Sequence, residues 1–87
     1  MGKYKLLFKK SVAKDLRGIP KKDVAAILRT FDVLAEDPRP PKCEKLSNRE
    51  QYRVRRGVYR IVYEINDEEL CVIVVRVGRR REVYSGR

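Results

Sequence analysis

The chain contains no histidine and no tryptophan, and only two cysteines and one methionine. Each shortage removes a class of chemistry. Without histidine there is no Ser-His or Cys-His nucleophile. A zinc site of the common types is excluded too, because Cys43 and Cys71 stand far apart and have no imidazole to join them. Two cysteines are too few for the disulfide framework of a small secreted domain, so both are expected as reduced thiols. Cys71 lies in an apolar run, where a thiol acts as a small hydrophobe, and Cys43 lies in a Pro-rich segment. No run approaches the roughly 20 apolar residues of a membrane span. The opening "MGKYKLLFKK" has too short an apolar run for a signal peptide. There is no P-loop and no dinucleotide fingerprint. The expectation is a soluble cytoplasmic protein with no metal, no cofactor and no membrane partner.

Acidic residues are also scarce relative to basic ones: 12 Asp and Glu face 22 Lys and Arg, a net charge of +10. Such a field attracts polyanions, whether nucleic acid, an anionic membrane or an acidic protein. Dense charge of both signs also suits the surface ion-pair networks of thermophiles, which explains 39% charged residues but not the excess of one sign. Aromatic residues make up 8%, and five of the seven are tyrosine, so Val, Ile and Leu must supply most of the core. At 87 residues the chain is read as one domain, 1–87, with little stability to spare.

The hydrophobic pattern divides the chain into elements. "YKLLF" at 4–8 is a short strand. Ser11 is a plausible N-cap for a helix carrying Val12, Leu16 and Ile19 at helical spacing. Gly18 and Pro20 end that helix and start a second, from about Lys21 to Glu36. Its apolar stripe is Val24, Ile27, Leu28, Phe31, Leu34 and Ala35, with Lys22, Arg29 and Asp32 facing elsewhere. The prolines of 37–50 indicate an irregular crossing segment. Strands then follow at about 51–56, 58–65 and 70–77, the last reading as central and buried on both faces, with "NDEE" as a turn and Gly78 as a break. The expected fold is α+β, in the order β-α-α-β-β-β: a small antiparallel sheet with a helical hairpin on one face.

"QYRVRRGVYRIVYEI" at 51–65 places four arginines and three tyrosines in fifteen positions. Alternation puts Arg53 and Arg55 on one face. With Arg56-Gly57 as the two-residue turn, Arg53 pairs with Arg60. Opposed like charges destabilise a hairpin, and a bound phosphate would relieve them through bidentate guanidinium hydrogen bonds. The competing occupant is a carboxylate, from a partner or from Glu50 or Glu64. A second basic run, "RVGRRREVY", ends in Tyr84, a phenol able to stack on a base, move a proton or anchor the chain end. Tyr52, Tyr59 and Tyr63 fall on the opposite, helix-facing side and read as core.

The stretches "YRVRRGVYRIVYEI" and "VIVVRVGRRREVY", with "EKLSN" at 44–48, resemble the RelE toxins of the RelE/ParE toxin–antitoxin superfamily, over nearly the whole chain. The resemblance implies a ribosome-dependent endoribonuclease that cuts mRNA in the ribosomal A site. The ribose 2′-hydroxyl attacks the adjacent phosphate without a metal. It implies a cognate antitoxin as partner, ribosome and mRNA as targets, and a free toxin that is a monomer. Carried over by position, the catalytic set is Arg53, Arg55, Arg60, Arg80 and Tyr84, with Lys45, Arg56, Arg79 and Arg81 binding RNA. Arginine at 53 and 55 makes a base role there unsuitable, and Arg79 stands where many relatives have histidine. The alternatives are a ParE-like inhibitor of DNA gyrase and a non-catalytic RNA- or ribosome-binding module.

Overall fold

The computed structural model describes residues 3–46 and 51–79. Its elements are β1 (Lys5–Phe8), α1 (Lys10–Arg17), α2 (Lys21–Glu36), β2 (Glu44–Leu46), β3 (Gln51–Arg56), β4 (Tyr59–Asn66) and β5 (Cys71–Arg79). The five strands form one sheet in the order β1-β5-β4-β3-β2. Both helices lie on one face. Val12 of α1 and Ile27, Phe31 and Leu34 of α2 pack against Tyr52, Val54, Tyr59, Ile61, Tyr63, Ile65, Val72, Val74 and Val77. Each fully buried aliphatic or phenyl side chain contributes about 1.5–3 kcal/mol relative to exposure. The α+β class and the bounds of α2 are those expected from the sequence.

Several details differ from expectation. Within the Pro-rich segment, Glu44–Leu46 form an extra strand, paired antiparallel to β3. Only three residues long and ending at the sheet edge, it leaves no periodicity to read. β1 pairs with β5 in parallel, so the sheet is mixed. β4, not β5, is the middle strand and the more continuously buried. β5 runs through Gly78 to Arg79 instead of breaking at the glycine. The α1 N-cap is Lys9, and Ser11 sits inside the helix with its hydroxyl 3.5 Å from the Val75 carbonyl oxygen. Leu28 of the α2 stripe is exposed.

The β3–β4 turn is Gly57-Val58, since Arg56 pairs with Tyr59. Gly57 has φ +62° and is the first central residue of the turn, as a II′ turn requires; the expected turn placed it second. Arg60 consequently opposes Arg55, and Arg53 opposes Val62. The shift moves each strand by one residue in opposite senses, so Arg53, Arg55 and Arg60 still share a face.

β5 carries a bulge. Val62 pairs with Arg76 and Tyr63 with Val74, leaving Val75 as the extra residue. Strict alternation after Val72 and Val74 would turn residue 76 toward the helices. The bulge reverses the phase, so Val77 enters the core and Arg76 emerges on the opposite face, where it is exposed.

Candidate nucleic-acid interface

The sheet face away from the helices carries two cross-strand rows. The first runs Glu44 (β2), Arg53 (β3), Val62 (β4), Arg76 (β5). The second runs Arg55 (β3), Arg60 (β4), Gly78 (β5). Rows two residues apart are separated by about 6–7 Å, and strands two apart by about 9–10 Å. Four arginines therefore lie within a patch roughly the size of a dinucleotide.

Their environments differ. Arg60 is 1% exposed although charged. It lies opposite Gly78, which offers no side chain to compete for the space beside the guanidinium. Arg55 is exposed, and a cleft of about 260 Å³ lies between it and Arg60, lined also by Gly57, Val58 and Tyr59. The Arg53 side chain is only 14% exposed, and its Nε and Nη2 donate to Glu44 Oε1 at 3.2 and 2.5 Å. The Glu44 carboxyl is held below the usual carboxylate range, first by these hydrogen bonds and the Arg53 charge and further by the charges of Arg55 and Arg60. Chemically this is a rigid guanidinium array on strands, suited to bidentate grip of phosphate oxygens.

The remaining sequence-derived residues divide. Arg56 and Arg79 both oppose Tyr59, and Lys45 opposes Tyr52, which places all three on the helix-facing side of the sheet. Arg79 lines a cavity of about 510 Å³ there with Asp15 and Asp23. Those two carboxylates hold the end of the sheet, Asp15 accepting from the Val77 amide at 3.1 Å and Asp23 from the Tyr59 hydroxyl at 3.1 Å. Arg80, Arg81 and Tyr84 lie outside the described residues. The structure thus brings together Arg53, Arg55 and Arg60, and adds Glu44 and Arg76, which sequence reasoning missed. The bulge that turns Arg76 outward leaves no sequence signal, and Glu44 sat in a stretch read as loop.

The Pro-rich segment is pinned from the helix-facing side. Arg39 donates to both carboxylate oxygens of Asp67, at 3.3 and 2.9 Å, and through Nε to the Tyr52 hydroxyl at 3.2 Å. Its guanidinium lies 5.3 Å from the centre of the Tyr52 ring, and Tyr52 stacks on Tyr63. The Tyr63 hydroxyl donates to the Pro38 carbonyl oxygen at 2.6 Å. Burial pushes the Tyr63 phenol far above its ordinary pKa, so it remains a donor. This anchoring fixes the chain that leads into β2, and with it Glu44.

Residues 6–84 match the family described as the ParE toxin of the type II toxin–antitoxin system parDE. The chain belongs to the RelE/ParE family of toxins. It is 31% identical over 83 residues to the toxin RelG of Mycobacterium tuberculosis, covering 93% of this chain and 95% of that one. The toxin in the archaeal RelE–RelB complex from Pyrococcus horikoshii superposes with a TM-score of 0.81 at 27% identity, covering 90% of this chain and 96% of that one. A chain of the RelBE2 toxin–antitoxin complex of M. tuberculosis superposes with a TM-score of 0.78 at 30% identity, covering 88% and 98%. The chain is therefore a RelE-family toxin of a toxin–antitoxin system. In this toxin the arginine-rich hairpin that carries the family resemblance also supplies the described part of the candidate site.

Proposed function

We propose that this toxin is a ribosome-dependent, metal-independent endoribonuclease that cleaves mRNA in the ribosomal A site by attack of a ribose 2′-hydroxyl on the adjacent phosphate. The observation that carries the reading is the opposed pair of Arg55 and Arg60, with Arg53 diagonal to them on the same face. Two guanidiniums opposed on one face repel, and a doubly charged phosphorane gripped by both would relieve that repulsion through bidentate hydrogen bonds. Such preorganised donors stabilise the charge that develops on the non-bridging oxygens and contribute about 10²–10³ in rate per donor. Arginine remains protonated at ordinary pH, so it clamps without exchanging protons. Arg80 and Tyr84 complete the proposed catalytic set, the first as a further cation and the second through its hydroxyl. Lys45, Arg56, Arg79 and Arg81 would hold flanking RNA, those on the helix-facing side contacting a different part of the ribosomal complex from the Arg55–Arg60 pair.

The related toxins from P. horikoshii and M. tuberculosis were solved with antitoxin partners. By the same reading this toxin has a cognate antitoxin, acidic enough to neutralise a +10 chain and apolar enough to stay bound. The free toxin is a cytoplasmic monomer on this reading.

Toeprinting of mRNA on programmed ribosomes with the purified toxin tests the proposal. The expected result is a new 3′ end inside the A-site codon that is absent when ribosomes are omitted. The family description as a ParE toxin supports a second reading, inhibition of DNA gyrase. Intact mRNA on ribosomes together with lost gyrase supercoiling would establish that reading instead.

A further inference from the structure

β1 ends at Phe8, so β5 from Val75 onward has no strand neighbour on its outer side, and α1 takes the place of one. We propose that Asp15 of α1 is a positioning residue for RNA: by holding the Val77 amide it keeps Arg76 aimed at the phosphate backbone. The proposal deepens the nuclease reading and rests on its assignment of the arginine face to RNA.

Three observations carry it. First, the edge: the last bond between the two strands runs from the Lys9 amide to the Val74 carbonyl oxygen at 3.0 Å. Beyond it β5 continues to Arg79 with only β4 beside it. Amides and carbonyls that point outward there need other partners. Second, the partners: Ser11 and Asp15 stand one helical turn apart, on one face of α1. Asp15 Oδ2 accepts from the Val77 amide at 3.1 Å, and the Ser11 hydroxyl reaches the Val75 carbonyl oxygen at 3.5 Å. Together they supply the acceptor and the donor that a longer β1 would have supplied. Val12, between them in sequence, is buried in the core and fastens this turn of α1 to the sheet. Third, the location: Val75 and Val77 flank Arg76, so the two contacts straddle the residue that the bulge turns outward.

Arg76 is exposed, and among the described residues no hydrogen bond or ion pair holds its guanidinium. Its direction is therefore set by the backbone of residues 75–77. Burial of Val77 decides which face Arg76 takes. Asp15 decides how firmly that stretch of β5 is held against α1. Without an acceptor for the Val77 amide, the outer edge of β5 moves more freely and Arg76 moves with it. A misplacement of about 1 Å is enough to lose well-aligned contacts to a bound group.

Charge and position predict opposite signs at Asp15, and that contrast provides the test. The probe is a single-stranded oligouridylate, its affinity measured across a potassium chloride series. Asp15→Ala makes the toxin more positive, so charge alone would tighten binding. The positioning role predicts binding weakened at least about threefold, with the logarithmic salt slope lowered toward the loss of about 0.7 that one phosphate contact on a single strand represents. Asp15→Asn removes the same charge but keeps an oxygen acceptor, so it should bind at least as tightly as wild type. Arg76→Gln should weaken binding too, and adding Asp15→Ala to it should cost nothing further, because Asp15 acts through Arg76. Thermal melting confirms that each variant is folded at the assay temperature. In the wild type the Val77 amide should exchange slowly with deuterated water, and free exchange there would overturn the proposal without any variant. Unchanged or tighter binding by Asp15→Ala would overturn it, as would losses that add in the double variant. A wild type that does not bind the oligomer would overturn the Arg76 contact and the role of Asp15 with it. Intact mRNA on programmed ribosomes, beside the expected order of oligomer affinities, would overturn the nuclease reading and uphold the role of Asp15.

Discussion

Arg60→Met separates a catalytic cation from a structural one. Methionine fills much of the same space with an apolar stem and removes the buried charge. Two guanidiniums about 5 Å apart repel by about 3 kcal/mol at an effective dielectric of about 20. Arg55 is exposed, so solvent screens the repulsion toward the ~1 kcal/mol scale of surface pairs. Replacing a whole buried ion pair by apolar side chains is commonly neutral or stabilising, whereas deleting one charge from a partnered buried site costs about 3–5 kcal/mol. If Arg60 serves the clamp and not the sheet, the variant should keep its stability within about 1 kcal/mol of wild type. In a domain of this length, ~1 kcal/mol moves Tm by about 4–8 °C. Cleavage on saturated ribosomes should fall by about 10²–10³, equivalent to about 2.7–4 kcal/mol of lost transition-state stabilisation. Circular-dichroism melting and single-turnover cleavage, run on the same preparation, read both quantities. Full cleavage by a normally folded variant would refute the clamp. A Tm drop of well over 8 °C would show that Arg60 holds the sheet together, and the loss of activity would then carry no mechanistic meaning.

Ribosome binding should weaken steeply as potassium chloride rises, and Arg76→Gln should lower the logarithmic salt slope by about one with little change in the saturated cleavage rate; an unchanged slope would remove Arg76 from the interface. Tyr63→Phe deletes the donor to the Pro38 carbonyl oxygen, and a lost buried hydrogen bond costs about 1–3 kcal/mol, to be read as a Tm lowered by at least about 4 °C. Tyr84→Phe keeps the ring and should bind ribosomes normally yet cleave at least about tenfold more slowly if the hydroxyl exchanges a proton; an equal rate would leave Tyr84 as a stacking or anchoring side chain.

What the sequence disclosed and what it withheld follow from how far each signal reaches along the chain. α2 was legible because a sixteen-residue apolar stripe repeats at 3.6 residues and Pro20 marks its start. The shared face of Arg53, Arg55 and Arg60 was legible because strand alternation is local, and it withstood a wrong turn. Moving the glycine from the second to the first central position slips the pairing by two residues, which changes who opposes Arg60 but not which side it occupies. Glu44 and Arg76 were not legible, because each depends on a long-range feature. Arg76 faces the site only because Val75 bulges against β4. Glu44 reaches it only because three residues of a Pro-rich segment pair with β3, in a register that places Glu44 opposite Arg53. These two devices do opposite electrostatic work on the same face. The bulge extends the cationic row toward β5, where it can lengthen the grip on an RNA backbone. The edge strand ends the row with a carboxylate that accepts from Arg53 Nε and Nη2. Arg76→Gln should therefore change affinity and its salt dependence while the rate at saturation stays near wild type.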